Sequence, residues 1–330
     1  MPPVISIIMA VRNDAQRLPR TLDTIVRQSF QDWELIVIDD GSADGSRKVA
    51  ERIAAVDPRI RVIAGRRSGI GPSRNRAMQD ARGEWIAVAD SDDLWHPEKL
   101  ERQLAFLRDH PSVGLLGTYG YRISGTGRRL GTFDLGPRSL AEFEQHRVRA
   151  EPFGLIHASA LFRRDLVELA GGYPTDYPLG LDLAYFNLRL APHTNVLALP
   201  ERLVFIEVRP DSVQRRRVHH AVDAHDSVAL NLRRQREGLP ELPYRAAVET
   251  LSAGSLLQRL ARERVRARHR RYTQGASALA AGSPIGLTHL SLALLVAPLY
   301  SARRLFSQVA PLALERLRGH GASGAAHRQP

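Results

Sequence analysis

The sequence predicts an α/β protein: a doubly wound, mainly parallel sheet, then a half of mixed strand direction, then a basic helical extension. Three observations lead there. Apolar runs of strand length alternate with segments whose apolar residues recur at helical spacing through the first 110 residues, the pattern of repeated βαβ units. Beyond residue 110 the rhythm changes to shorter strands and glycine turns. From about residue 219 the chain reads as mostly helical and Arg-rich.

The elements follow in order. "VISIIMAV" (4–11) is a first buried strand, "LPRTLDTIVRQSF" a helix with Leu18, Leu22 and Ile25 aligned, and "ELIVID" (34–39) a second strand. "DGSRKVAERIAAV" carries Val49, Ile53 and Val56 at helical spacing, "RIRVIA" is a third strand, "PSRNRAMQDA" a helix and "EWIAVA" a fourth strand. Strands this uniformly apolar belong in a parallel sheet covered by helices on both faces. "HPEKLERQLAFL" is a helix with Pro97 in its first turn and Leu100, Leu104 and Leu107 on one side, because proline's fixed φ and missing N–H suit a helix start. Next, "GYRISGTGRRLGTF" predicts a hairpin with Gly125 and Gly127 in its loop. "RRDLVELAGGY" is a short helix stopped by Gly171 and Gly172, and "LDLAYFNLRLA" a second one with Phe186 and Leu190 on one face.

Composition narrows the function. With 43% hydrophobic and 25% charged residues the chain is an ordinary globular protein. It has no cysteine, which excludes disulfides, thiolate nucleophiles and Cys-ligated zinc. The twelve histidines show no metal-ligand spacing. "GIGPSR" begins like a dinucleotide fingerprint but has Arg74 where a third glycine is required, so a dehydrogenase is rejected. The first residues lack a basic stretch ahead of the apolar run and read as a strand, so the expectation is a cytoplasmic protein. Of the net charge of +12, +11 resides in the tail, where residues 201–330 hold 21 Arg against 10 acidic residues. Such a tail suits an anionic membrane surface, nucleic acid or no specific partner. The apolar segment 284–300 is shorter than the ~20 residues a spanning helix needs, leaving an interfacial helix or one packed on the rest of the protein.

Two acidic clusters end strands that should be neighbours: "IDDGSADGS", with Asp39, Asp40 and Asp44, and "ADSDD", with Asp90, Asp92 and Asp93. In open α/β sheets the carboxyl ends of the strands bind ligands. A carboxylate there accepts hydrogen bonds from a base or ribose, and a D-x-D pair holds a hard divalent cation that bridges a diphosphate. The plainer alternative is a turn in which Ser42 and Asp44 cap the following helix.

The ordered motifs "ISIIMAVRNDAQRLPRTLDTIVRQSFQDWELIVIDDGSADGS" and "GIGPSRNRAMQDARGEWIAVADSDDLWHPEKL" resemble glycosyltransferase family 2, strongly over residues 4–110 and more weakly to about 212. The resemblance implies a GT-A fold with a nucleotide-sugar-binding half over 1–110 and an acceptor-side half over 111–215; the Arg-rich, helix-like composition leaves a basic helical extension over 216–330. It implies an inverting transferase that uses a nucleotide-diphosphate sugar, most often a UDP-sugar, with Mg2+ or Mn2+. Its donor contacts fall on Ala10, Arg12, Asp40, Arg74 and Asp90, and its metal site on Asp90 and Asp92, with Asp93 adjacent. The family usually has proline and an aromatic where this chain has Ala10 and Arg12. Its base falls on Asp182, at the start of the helix after "GGY", with Asp176 as the fallback; Leu181 stands where a glutamate is usual. A glycan or lipid-linked acceptor follows; the charge of the tail adds the expectation of a peripheral place on an anionic inner membrane face, with no role for nucleic acid. Two other classes remain to be weighed: a metal-dependent phosphoryl-transfer enzyme, for which only Asp14 follows the first strand, and a non-catalytic nucleotide-binding protein.

Overall fold

The computed structural model describes residues 1–149, 152–177, 182–208, 218–254, 260 and 263–267. In chain order the elements are β1 (Ile5–Val11), α1 (Leu18–Val26), β2 (Trp33–Asp39), α2 (Ser46–Ala54), β3 (Ile60–Ala64), α3 (Ile70–Gln79), β4 (Trp85–Asp90), β5 (Leu94–Trp95) and α4 (Lys99–Asp109). The second half adds β6 (Val113–Ile123), β7 (Arg129–Phe133), α5 (Leu140–Arg149), β8 (Leu161–Arg163), α6 (Leu166–Ala170), α7 (Asp182–Leu190) and β9 (Asn195–Glu207). Two helices follow, α8 (Val218–Arg236) and α9 (Tyr244–Ser252).

One sheet runs through both halves in the order β3-β2-β1-β4-β8-β6-β9-β5, with β7 added on β6. Strands β1 to β4 pair in parallel, as the mostly apolar character of β1, β2 and β4 suits. Reversed strands enter at β8, β7 and β5, while β6 and β9 pair in parallel, so the second half is mixed. The expectation of short strands there fails for β6 and β9, which at 11 and 13 residues are the longest in the sheet. β9 escapes detection because its pairing with β6 shifts register between Leu199 and Arg202, interrupting the alternation.

Each face of the sheet carries its own core. On one, Leu18, Leu22 and Ile25 of α1 and Leu100 and Leu107 of α4 pack on alternate strand residues such as Ile5, Ile7 and Leu35. On the other, Ala77 and Met78 of α3, Leu166 of α6, and Phe186 and Leu190 of α7 pack on Ile8, Ile36 and Val88. Val56, expected in the α2 stripe, lies past the end of that helix and is exposed. A third cluster joins Tyr177 and Tyr185 to Ala224 and Val228, seating α8 on α7. Gly171 and Gly172 both take positive φ, 67° and 72°, and end α6 by bonding back to Glu168 and Val167, which a side-chain-bearing residue adopts only with strain.

Among the described residues no helix is long and apolar enough to cross a membrane. The segment 284–300 lies outside them.

Candidate functional site

Strand order places the site. β1 sits between β2 and β4, so the chain winds toward β3 on one side and toward β8 on the other. The crevice beyond the carboxyl ends of strands at such a reversal is where open α/β sheets bind ligands. Val11 pairs with Asp39 and Ala10 with Asp90, so the two acidic clusters flank the end of β1 from either side. Ala10 is half-buried between them, and Arg12, just beyond, is exposed.

The loops above this end are sewn together by short polar residues. The Asn13 N–H donates to Ser42 Oγ at 3.0 Å, and Asn13 Oδ1 accepts from the Ala43 N–H at 2.8 Å. Asp44 Oδ2 accepts from the Ala15 N–H at 2.9 Å, while Oδ1 takes the Ser46 N–H at 3.0 Å and its hydroxyl at 2.5 Å. Asp44 is thus the turn acid. Desolvation opposes the charge on its carboxyl, yet Ser46 and the Ala15 amide outweigh that and hold its pKa below the ordinary value.

Asp39 and Asp40 are both buried but differ in their partners. Asp40 accepts from the Ser68 N–H at 2.6 Å and the Gly69 N–H at 2.9 Å, pinning the loop that enters α3. Asp39 accepts from the Ser42 N–H at 3.3 Å with Oδ2, and its buried Oδ1 has no hydrogen-bond partner. The chain passes so close here that a Cβ on Gly65 would lie 2.9 Å from the Asp39 carbonyl oxygen, so glycine is required.

In the second cluster each acid has a distinct setting. Asp90 ends β4 with its side chain 31% exposed and is held by the guanidinium of Arg74, which is 1% exposed. Asp92 is half-buried on the loop. Asp93 is buried, and its Oδ1 accepts the Glu207 N–H at the end of β9 at 3.1 Å, so it ties the loop to the far half of the sheet. Ser91, between them, donates to Asp14 Oδ2 at 2.6 Å.

Arg74 does not face the open cleft. Its guanidinium lies 5.6 Å from the centre of the Tyr173 ring, and its Nε and one terminal nitrogen are buried without partners. Beneath it is a polar group the sequence reading missed: His157 Nε2 meets the Tyr173 hydroxyl at 2.9 Å and His157 Nδ1 meets Asn187 Oδ1 at 3.3 Å. Asn75 and Tyr173 exchange two further bonds at 2.7 and 2.9 Å. Burial first, and then the charge of Arg74, push the His157 pKa well below its usual value, against the Asn187 bond, so its ring stays neutral at neutral pH. The lone His in "GLIHASA" carries no spacing signal that separates it from a surface histidine.

Among the described residues no three acidic or histidine side chains gather into a metal site on their own. Hard cations such as Mg2+ are commonly held by one or two carboxylates with substrate phosphates completing the shell. Asp90 and Asp92 at the open rim fit that division, whereas Asp93 is turned to β9. Asp182 is the first residue of α7, in the position expected of it. Asp176 accepts the Tyr244 N–H at 2.6 Å and so serves the start of α9. A recess of about 340 Å³ lined by Ser112, Arg147, Arg163, His193 and Asn195 lies at the opposite rim, where β6 and β9 begin.

The curled, mainly parallel sheet with acids at its reversal point is the GT-A architecture. Residues 6–169 match the family described as Glycosyl transferase family 2, and the chain is a member of that family through this domain. The putative glycosyltransferase EpsE of Bacillus subtilis is 31% identical over 173 residues, 52% of this chain and 60% of EpsE. The Escherichia coli protein WfgD, a UDP-Glc:alpha-D-GlcNAc-diphosphoundecaprenol beta-1,3-glucosyltransferase, is 34% identical over 35% of this chain and 46% of its own. The match thus spans about half the length of such relatives. A solved structure of the mannosyltransferase PcManGT from Pyrobaculum calidifontis, in complex with GDP-Man and Mn2+, superposes with a TM-score of 0.57 at 22% identity, covering 96% of this chain and 88% of that one.

Proposed function

We propose that this protein transfers a sugar from a nucleotide-diphosphate sugar, a UDP-sugar foremost, to a hydroxyl of a glycan or lipid-linked acceptor with inversion, in polysaccharide or cell-envelope glycan synthesis. The observation that carries this reading is the pair of acidic clusters flanking β1 at the reversal point. The family domain supports it, and so do the names of relatives: WfgD uses a UDP-sugar and a diphosphate-linked lipid, and PcManGT was solved with GDP-Man and Mn2+.

Asp40 lies beside β1 and retains lone pairs beyond those given to Ser68 and Gly69, enough to accept from a base. Ala10 and Arg12 border that place. Asp90 and Asp92 would hold Mg2+ or Mn2+, which supplies positive charge for the departing nucleotide diphosphate. Arg74 acts through Asp90, fixing its carboxylate from below and leaving an oxygen toward the rim. Asp182 takes the proton of the acceptor hydroxyl, because a hydroxyl becomes a competent nucleophile as its proton leaves. The first turn of a helix favours a charged carboxylate, which keeps such a base ready. The basic extension after residue 216 is the part we assign to an anionic membrane surface.

Phosphoryl transfer through a nucleophilic aspartate fits less well. Asp14, the acid after β1, is buried, paired with Arg17 at 2.6 Å and occupied by Ser91. A screen of nucleotide sugars against the full chain tests the proposal by metal-dependent hydrolysis and by thermal stabilisation, since a ligand that binds only the native state raises apparent stability. Stabilisation by one nucleotide sugar that disappears with EDTA is expected. Equal response to all nucleotides, indifferent to metal, would overturn it.

A further inference from the structure

Beyond the D-x-D loop the sheet continues onto a second surface. β5 sets Leu94 against Phe205 of β9, and β9 sets Phe205 against Tyr121 of β6. Leu115 of β6 packs in the core beneath α6 and α7. Two-residue alternation from Leu115 puts Tyr119 and Tyr121 on that same face, the face that carries α7. Phe205 follows Val204 and precedes Ile206, both of which pack with the opposite core, so it joins Tyr121. Strands lie about 4.8 Å apart, which puts Phe205 within about 10 Å of the acid loop.

Three side chains form a column across this surface. The Tyr121 and Phe205 rings stack with centroids 5.6 Å apart and planes 21° from parallel. β7 flanks β6 on the side away from β9, and from it the Arg129 guanidinium lies 4.1 Å from the centre of the Tyr121 ring. Tyr121 and Phe205 are half-buried and Arg129 is exposed. Arg202, 5.8 Å from the same ring, is neutralised by two bonds to Asp134 at 3.0 and 2.5 Å. Arg129 has no carboxylate partner among the described residues, and the Tyr121 hydroxyl no hydrogen bond there. Such a column is held by strands, so a ligand meets it already ordered and binding loses little side-chain freedom. Aromatic side chains give the C–H faces of a sugar ring an apolar surface to pack on, and a guanidinium forks onto a carboxylate or phosphate.

We propose that this column seats the acceptor, and that the acceptor is an anionic glycan, with a carboxylate or phosphate close to the hydroxyl that receives the sugar. Arg129 holds the anion, and Tyr121 and Phe205 hold the ring beside it. The inference rests on the transferase reading above, so its test separates the two.

Titration calorimetry and saturation-transfer NMR are run on the full chain with Mn2+ and UDP present. The probes are a tetragalacturonate, a short-chain lipid diphosphate carrying one N-acetylhexosamine, and neutral cellotetraose. At least one anionic probe is expected to bind about tenfold more tightly than the neutral chain. Whichever it is identifies the anion as a uronate or a diphosphate. Arg129→Gln is expected to remove that advantage, about tenfold, with the melting temperature unchanged, and Phe205→Leu, which keeps an apolar side chain beside Leu94, to weaken all saccharides; neither changes the affinity for UDP. Equal binding of charged and neutral probes, or an anionic preference that survives Arg129→Gln, overturns the proposal, as does binding of neither anionic probe. If UDP itself fails to bind the native chain with Mn2+, the donor-site reading falls instead.

Discussion

Lys99, the first residue of α4, follows the acid loop and is nevertheless 0% exposed. Its Nζ donates to Gln103 Oε1 at 2.8 Å and lies 3.9 Å above the Trp95 ring. Burial lowers its pKa from 10.5 to about 7. Between those values the unfolded chain holds a proton that the folded one lacks, so stability rises with pH by up to about 1.4 kcal/mol per pH unit. From pH 7.5 to 9.5 this residue should add about 2.5 kcal/mol, the change levelling off near pH 7 and ending near 10.5. Lys99→Met keeps the chain length and removes the titration. It leaves Gln103 without one partner, a cost of about 1–3 kcal/mol that does not depend on pH. The assay is urea denaturation of both proteins at the two pH values. Other groups titrate alike in both, so the difference of differences isolates Lys99. Equal pH dependence in wild type and Lys99→Met would refute the reasoning and show that the buried amine keeps its proton.

Four further outcomes are expected. Asp92→Ala should abolish turnover and metal-dependent donor binding while the melting temperature holds; full activity in EDTA would remove the metal from the scheme. Asp182→Asn keeps size and capping ability but cannot take a proton, so transfer should fall about 100-fold or more with donor affinity nearly unchanged; the reverse pattern would make it a donor-site residue. Asp40→Ala should weaken nucleotide binding more than Asp39→Ala, because Asp40 also anchors Ser68 and Gly69, and calorimetry giving the opposite order would move the base contact to Asp39. The full chain should sediment with anionic liposomes at low salt, each basic residue near the surface contributing about 1 kcal/mol; sedimentation indifferent to salt and lipid charge would refute a membrane role for the extension.

The βαβ units were legible because β1, β2 and β4 are apolar apart from Ser6, Glu34 and the acids that end β2 and β4, and the helices between them carry regular stripes such as Leu18, Leu22 and Ile25. The acid clusters were legible for the same reason: each directly follows such a strand. Which acid is spent on structure was not, since Asp93 finds its partner 114 residues away at Glu207. β5 and β8, two and three residues long, are too short for any periodicity and exist through pairing alone. His157 and Lys99 carried no signal in the sequence because their burial depends on Tyr173, Asn187 and Gln103, which tertiary packing supplies.

The family match ends at residue 169, but the sheet does not. β9, at 195–207, pairs along most of β6, gives β5 its only partner strand among the described residues, and supplies the amide that holds Asp93. A chain cut at the family boundary would expose the edge of β6 to strangers, unfasten Leu94 and Trp95, and let the acid loop swing free. What is inherited as a recognisable block and what folds as a working piece are therefore different lengths of the same chain, and the shorter would make a poor reagent.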